Sequence, residues 1–173
     1  MISGEEIINQ IGNGNIIIRP FDQKSINPNS YNLHLGSKLL VYDEKVIDAK
    51  KENACKEIII PEEGYVLQPN KLYLGRTVEY TETNNYVPML NGRSSIGRLG
   101  LNIHVTAGFG DNGFKGTWTL ELFVVEPLKI YPNMELCQIC YFPIVGNTNI
   151  KYQGKYLNQE DATKSKLFTE YND

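Results

Sequence analysis

The decapeptide Asn91-Gly92-Arg93-Ser94-Ser95-Ile96-Gly97-Arg98-Leu99-Gly100 carries two of the four arginines in the chain. They sit among glycines, which let a backbone approach a ligand closely, and hydroxyls, which can donate hydrogen bonds. A guanidinium matches phosphate oxygens two at a time, and exposed amides in Gly- and Ser-rich turns form anion-binding concavities. The chemistry suggested is phosphate binding, although the stretch alone also reads as a solvated turn with surface charges. A carboxylate follows at Glu121, in the strand-like run Thr117-Trp118-Thr119-Leu120-Glu121-Leu122. Alternation puts Thr117, Thr119 and Glu121 on one face and Trp118, Leu120 and Leu122 on the other. Most lone strand glutamates simply face solvent. Beside a phosphate-binding turn, however, Glu121 could take a proton from a water as a general base.

The elements that must position these groups are mainly β. Ser3-Gly-Glu-Glu6 is a capping-box pattern ahead of Ile7, Ile8 and Ile11 at helical spacing, and Gly12 and Gly14 stop the helix. Ile16 to Arg19 is strand-like, ended by Pro20, and a turn at 27–30 leads into Tyr31 to Leu35. Short β-branched and aromatic runs follow at 39–42, 57–60, 65–67, 72–80, 86–90, 101–105, 117–125 and 136–142. Many short strands without intervening helices predict an antiparallel sandwich or distorted barrel. Beyond Gly146 the chain turns polar, so its removal is expected to leave the β fold intact. The 173 residues fit one domain.

A net charge of -3 argues against a generic nucleic-acid or anionic-membrane binder, which would show a basic face. Any polyanion site must be local. No apolar run approaches the roughly 20 residues of a spanning helix, and no export signal is evident, so a cytoplasmic location is expected. The odd count of three cysteines argues against a disulfide framework. Cys137 and Cys140 have C-x-x-C spacing, but no second pair completes a tetrahedron, and three residues along a strand they face opposite ways. His34 and His104 lack partners at ligand spacing.

Gly92-Arg-Ser-Ser-Ile-Gly-Arg-Leu-Gly-Leu101, His104-Val-Thr-Ala-Gly108, Asp111-x-Gly-Phe-x-Gly116 and Thr119-Leu-Glu121 together resemble the dCTP deaminase branch of the dUTPase-like superfamily. The early Asn27-Pro-Asn-Ser-Tyr-Asn-Leu-His-Leu-Gly36 segment and the Tyr156-x-Asn-Gln159 tail extend the resemblance over most of the chain. It implies a distorted β-barrel or jelly-roll-like fold, a homotrimer with active sites between subunits, and a C-terminal lid, here 147–173. By the same resemblance, Glu121 is the general acid/base, with Ser94 and Arg98 positioning water and cytosine. Arg93, Ser94 and Ser95 form the phosphate turn, Asp111 meets the deoxyribose 3'-hydroxyl, and Thr119, Leu120 and Glu121 lie at the nucleotide. Gln138, Lys155 and Gln159 match triphosphate or base contacts, with Tyr152 a looser tail match.

The implied reaction is deamination of dCTP to dUTP and ammonia. Glu121 would deprotonate a water that attacks C4 and return the proton toward N3 or the leaving amine. The alternative is a bifunctional dUMP-forming deaminase and diphosphatase, or a dUTPase, in which Asp111 helps a second water reach the α-phosphate. A catalytically silent nucleotide binder is disfavoured by the intact Ser94, Arg98 and Glu121 set. dUTP or dTTP would be product or inhibitor. Magnesium would accompany the triphosphate, and zinc is not expected, because the H-x-E and P-C-x-x-C pattern of zinc deaminases is missing. Asn32, Gly110 and Asn112 depart from the family pattern, and these departures are expected to loosen the sugar-seating loop, since glycine adds backbone freedom.

Overall fold

The Ser3 side chain caps the first helix by accepting the Glu6 N–H at 3.2 Å, and Ile7 of that helix is fully buried. This computed structural model describes residues 1–171. In chain order the elements are α1 (Gly4–Gly12), β1 (Ile16–Arg19), β2 (Ile26–Asn27), β3 (Ser30–His34), β4 (Lys38–Tyr42), β5 (Cys55–Ile59), β6 (Tyr65–Leu67) and β7 (Tyr73–Arg76). There follow β8 (Tyr80–Thr83), β9 (Tyr86–Gly92), α2 (Ser94–Gly97), β10 (Leu101–Asn102), β11 (Lys115–Gly116), β12 (Thr119–Val124), β13 (Leu128–Ile130) and β14 (Glu135–Pro143). The strands pair antiparallel in four sheets, ordered β1-β8-β11, β10-β12-β7-β4-β5, β13-β6 and β2-β3-β14-β9. The mainly β expectation holds, though the sheets do not close into one continuous barrel. No described helix is long and apolar enough to cross a membrane.

Strand β12 lies between β10 and β7, with Thr119 opposite Arg76 and Glu121 opposite Leu74. Leu120, Leu122 and Val124 are completely buried, while Thr119 and Glu121 are half-buried on the other face. Each buried aliphatic side chain contributes about 1.5–3 kcal/mol relative to exposure. A one-residue slip would expose all three and bury the carboxylate, so the core locks the direction in which Glu121 points.

Three expected elements differ from the observed ones. The run 72–80 is broken into β7 and β8, because Thr77 Oγ1 donates to the Glu79 carbonyl and turns the chain from one sheet into another. The run 101–105 pairs as a strand only over Leu101–Asn102. The Gly- and Ser-rich turn is a four-residue helix, α2, with Arg93 as its N-cap and no side-chain cap bond.

The expected loosening at Gly110 is also corrected. A Cβ there would stand 2.3 Å from the Trp118 ring and 2.9 Å from Pro88, so the position needs glycine for close packing. Trp118 is held by its indole N–H to Thr81 Oγ1 at 2.8 Å and by the Phe114 ring, tilted against it with centroids 4.5 Å apart. Gly110→Ala is expected to cost about 1–3 kcal/mol by overpacking, read as a lowered chemical-denaturation midpoint. Asn112 does not loosen the loop either. Its Oδ1 accepts the Asn85 N–H, and its Nδ2 donates to the carbonyls of Thr148 and Ile150, which clamps the start of the tail. Asn32 is buried and accepts from Asn27 Nδ2 at 2.8 Å.

Candidate active site

A cavity of about 510 Å³ opens where β12 faces the 104–111 loop and the tail. Such a volume suits a small ligand. Of the residues expected at the site, Thr119, Glu121, Asp111, Tyr152 and Gln159 line it.

Glu121 is fixed by the strand at one end and by the loop at the other. Its N–H donates to the Ile103 carbonyl at 2.9 Å, and its Oε2 accepts the Val105 N–H at 3.0 Å. The carboxylate thus holds the backbone of the loop that follows β10. Nothing in the sequence flags Val105 as a support for Glu121. His104 lines the cavity as well, and both of its ring nitrogens are buried without a hydrogen-bond partner among the described residues. Burial disfavours its charged form and holds its pKa below the usual histidine range, against the opposing pull of Glu121.

The tail forms the roof. Gln159 Nε2 donates to the Thr117 carbonyl at 2.7 Å, and the Thr117 N–H returns a bond to the Gln159 carbonyl at 2.9 Å. At Gly116, where φ is 143°, a Cβ would lie 2.7 Å from the Gln159 carbonyl oxygen, so glycine there permits the crossing. Thr163 N–H then donates to Thr119 Oγ1 at 3.0 Å, one strand step from Glu121 on the same face. Asp161 ties this segment to β4 and β7 through Lys38 at 3.0 Å and Arg76 at 3.3 Å. Burial opposes the Asp161 charge, but Lys38, the Ala162 N–H and Arg76 together hold its pKa below the ordinary value.

The tail, polar in composition, nevertheless packs against the β framework. Ala162 is buried, Tyr152 and Tyr156 pack on the core, and the Tyr152 ring lies 5.8 Å from Phe114. Its polar composition concealed this because the tail docks through a few aromatic rings and its own backbone.

Other expected residues lie outside the cavity. Leu120 is completely buried in the core, so its side chain supports the strand and does not face a ligand. Ser94, Ser95 and Arg98 are exposed on and just after α2. Arg93 Nη1 contacts Glu135 Oε2 at 2.7 Å. Gln138 Oε1 accepts from Ser30 Oγ at 2.9 Å, and Lys155 pairs with Glu170. Cys137 and Cys140 are buried free thiols. Burial raises the Cys137 pKa, and the Cys140 thiol donates to the Met89 carbonyl at 3.4 Å.

Glu121 and Asp111 thus share one cavity roofed by the tail on this β framework. Residues 1–144 match the family model described as dCTP deaminase-like, and the chain belongs to that family. A Clostridium acetobutylicum protein named dCTP deaminase, dUMP-forming, is 58% identical over 171 residues, covering 99% of this chain and 98% of its own. A Cytophaga hutchinsonii protein of the same name is 54% identical over 171 residues, with the same coverage of both chains. The solved 2'-deoxycytidine 5'-triphosphate deaminase from Agrobacterium tumefaciens shares the fold at TM-score 0.64 and 18% identity, covering 81% of this chain. This chain spans 47% of that longer one.

Proposed function

We propose that the protein is a dUMP-forming dCTP deaminase, converting dCTP and two waters to dUMP, ammonia and pyrophosphate. The observation that carries this reading is the opening of Glu121 and Asp111 into one cavity. Relatives aligned over nearly their whole length bear the dUMP-forming name, which favours this reading over one that stops at dUTP.

In the first step Glu121 takes a proton from a water that attacks C4 of cytosine. The proton is passed toward N3 and the leaving amine, and ammonia departs. General acid-base help of this kind contributes a factor of about 100 to 10,000. In the second step Asp111 orients a second water toward the α-phosphorus, and pyrophosphate leaves. Tyr152 and Gln159 close over the nucleotide. Arg93, Ser94, Ser95, Gln138 and Lys155 serve the triphosphate, while Ser94 and Arg98 position the water and base.

Because Ser94, Ser95 and Arg98 lie outside the cavity that holds Glu121, this reading requires a second chain to bring them, and a homotrimer with shared sites supplies one. The acidic groups lining the cavity are Asp111 and Glu121, and Glu121 already accepts an amide. That donor set suits a magnesium ion carried mainly by phosphate oxygens and water. When bound, magnesium would neutralise part of the triphosphate charge. Cys137 and Cys140 are buried in the core and Cys55 does not line the cavity, so the site is proposed to be zinc-independent.

Chromatography of early products from dCTP with magnesium is the test. Equal amounts of ammonia, dUMP and pyrophosphate are expected. Accumulated dUTP would reduce the protein to a deaminase, and unchanged dCTP would refute the reading. Activity is expected to fall when magnesium is withheld and to survive a zinc-selective chelator. Stoichiometric zinc whose removal abolishes turnover would refute zinc independence.

A further inference from the structure

We propose that Glu135, backed by His34 and Glu79, is a positioning residue that aims Arg93 at a substrate phosphate. This inference rests on the reading that Arg93 binds the triphosphate.

A line of ionisable groups runs from the protein interior to α2 across β3, β14 and β9. Its inner end is Glu79, only 2% exposed. Glu79 Oε2 accepts the His34 N–H at 2.9 Å, and its Oε1 lies 2.5 Å from His34 Nδ1. One carboxylate therefore holds both the backbone and the ring of the same residue, which fixes the imidazole orientation and places a proton on Nδ1. The outer ring nitrogen, Nε2, faces Glu135 Oε1 at 3.9 Å.

His34 and Glu135 are direct cross-strand partners, and the β3–β14 register shifts just after Glu135. A bulge of this kind re-aims a side chain. Here the Glu135 side chain meets Arg93, whose Nη1 forms an ion pair with Oε2 at 2.7 Å and donates to the Glu135 carbonyl at 3.2 Å. Arg93 N–H also donates to the Leu136 carbonyl at 3.3 Å, so backbone and side chain are referred to the same strand.

The donors that remain matter most. A guanidinium has five N–H groups in a rigid plane, and the bonds to Glu135 use Nη1 alone. Nε and Nη2 keep the adjacent edge for a phosphate, the two-point geometry that arginine favours. With Glu135 and Arg93 each about a third exposed, the pair itself adds little to stability. Its consequence is directional.

The test is calorimetric titration of tripolyphosphate into the full-length protein, alongside dCTP kinetics. Glu135→Ala is expected to weaken tripolyphosphate binding and raise the KM for dCTP by about tenfold, from the misplaced charged contact. Turnover should change much less, within about threefold, because the loss is in binding. Glu135→Gln keeps an acceptor for Nη1 and should restore most of the affinity. His34→Asn keeps a donor toward Glu79 but loses the nitrogen facing Glu135, and should cost an intermediate amount. Wild-type affinity in Glu135→Ala would overturn the proposal, and tighter binding would make Glu135 a competitor of phosphate. Should the alanine variant fail to fold, unaltered affinity in His34→Asn would be decisive against it. A wild-type protein that binds no tripolyphosphate overturns it as well. Failure of the wild-type protein to release ammonia from dCTP would instead refute the proposed function, while the titration still decides the role of Glu135.

Discussion

Glu121→Gln is expected to lower ammonia release from dCTP by a factor of about 100 to 10,000, the range that positioned proton transfer supplies. Binding of dCTP should stay within about tenfold of wild type, because glutamine preserves the size and the acceptor of the side chain. Its amide oxygen can still receive the Val105 N–H that now meets Oε2 at 3.0 Å, so the 104–111 loop should keep its place. What the variant loses is the capacity to take a proton from water. Isothermal titration with dCTP and a coupled ammonia assay separate the two effects. A variant that keeps a substantial fraction of wild-type turnover would remove Glu121 from the chemistry.

Ending the chain at Gly146 is expected to reduce kcat/KM by about a hundredfold or more, as displacement of groups that orient a substrate can do. The loss removes the Gln159 contacts to Thr117, the Thr163 bond to Thr119 and the Tyr152 wall of the cavity. The truncated protein should retain β circular dichroism but melt at a lower temperature, because Phe114 loses the ring of Tyr152 and the core loses the packing of Tyr152 and Tyr156. Normal turnover by the truncated chain would show that the tail is no lid.

The residues whose placement depends on strict local periodicity were legible in the sequence. Two-residue alternation is enough to set Thr119 and Glu121 on one face of β12, and a capping box is enough to start α1. Contacts between distant segments were not. Thr163 meets Thr119 through a backbone N–H, which any residue other than proline could offer, so no side-chain type announces the crossing. Gly110 looks like added freedom until the Trp118 ring is seen in the space of its missing Cβ. Arg93 stands in the Gly- and Ser-rich stretch that composition singles out, but its partner Glu135 lies on another strand and is visible only once β9 and β14 are paired. The exposure of Ser94 and Arg98 away from Glu121 was likewise illegible, since it depends on where α2 leaves the sheet.

Whether Glu121 and Arg98 meet only across two chains is tested most directly by mixing protomers. Glu121→Gln and Arg98→Ala proteins, each inactive alone, are dissociated, combined in equal amounts and reassembled. If each site takes its carboxylate from one chain and its arginine from another, about a quarter of the sites in random assemblies regain both groups, and ammonia release from dCTP returns accordingly. A mixture that reassembles fully yet stays as inactive as its components would contradict a site shared between subunits.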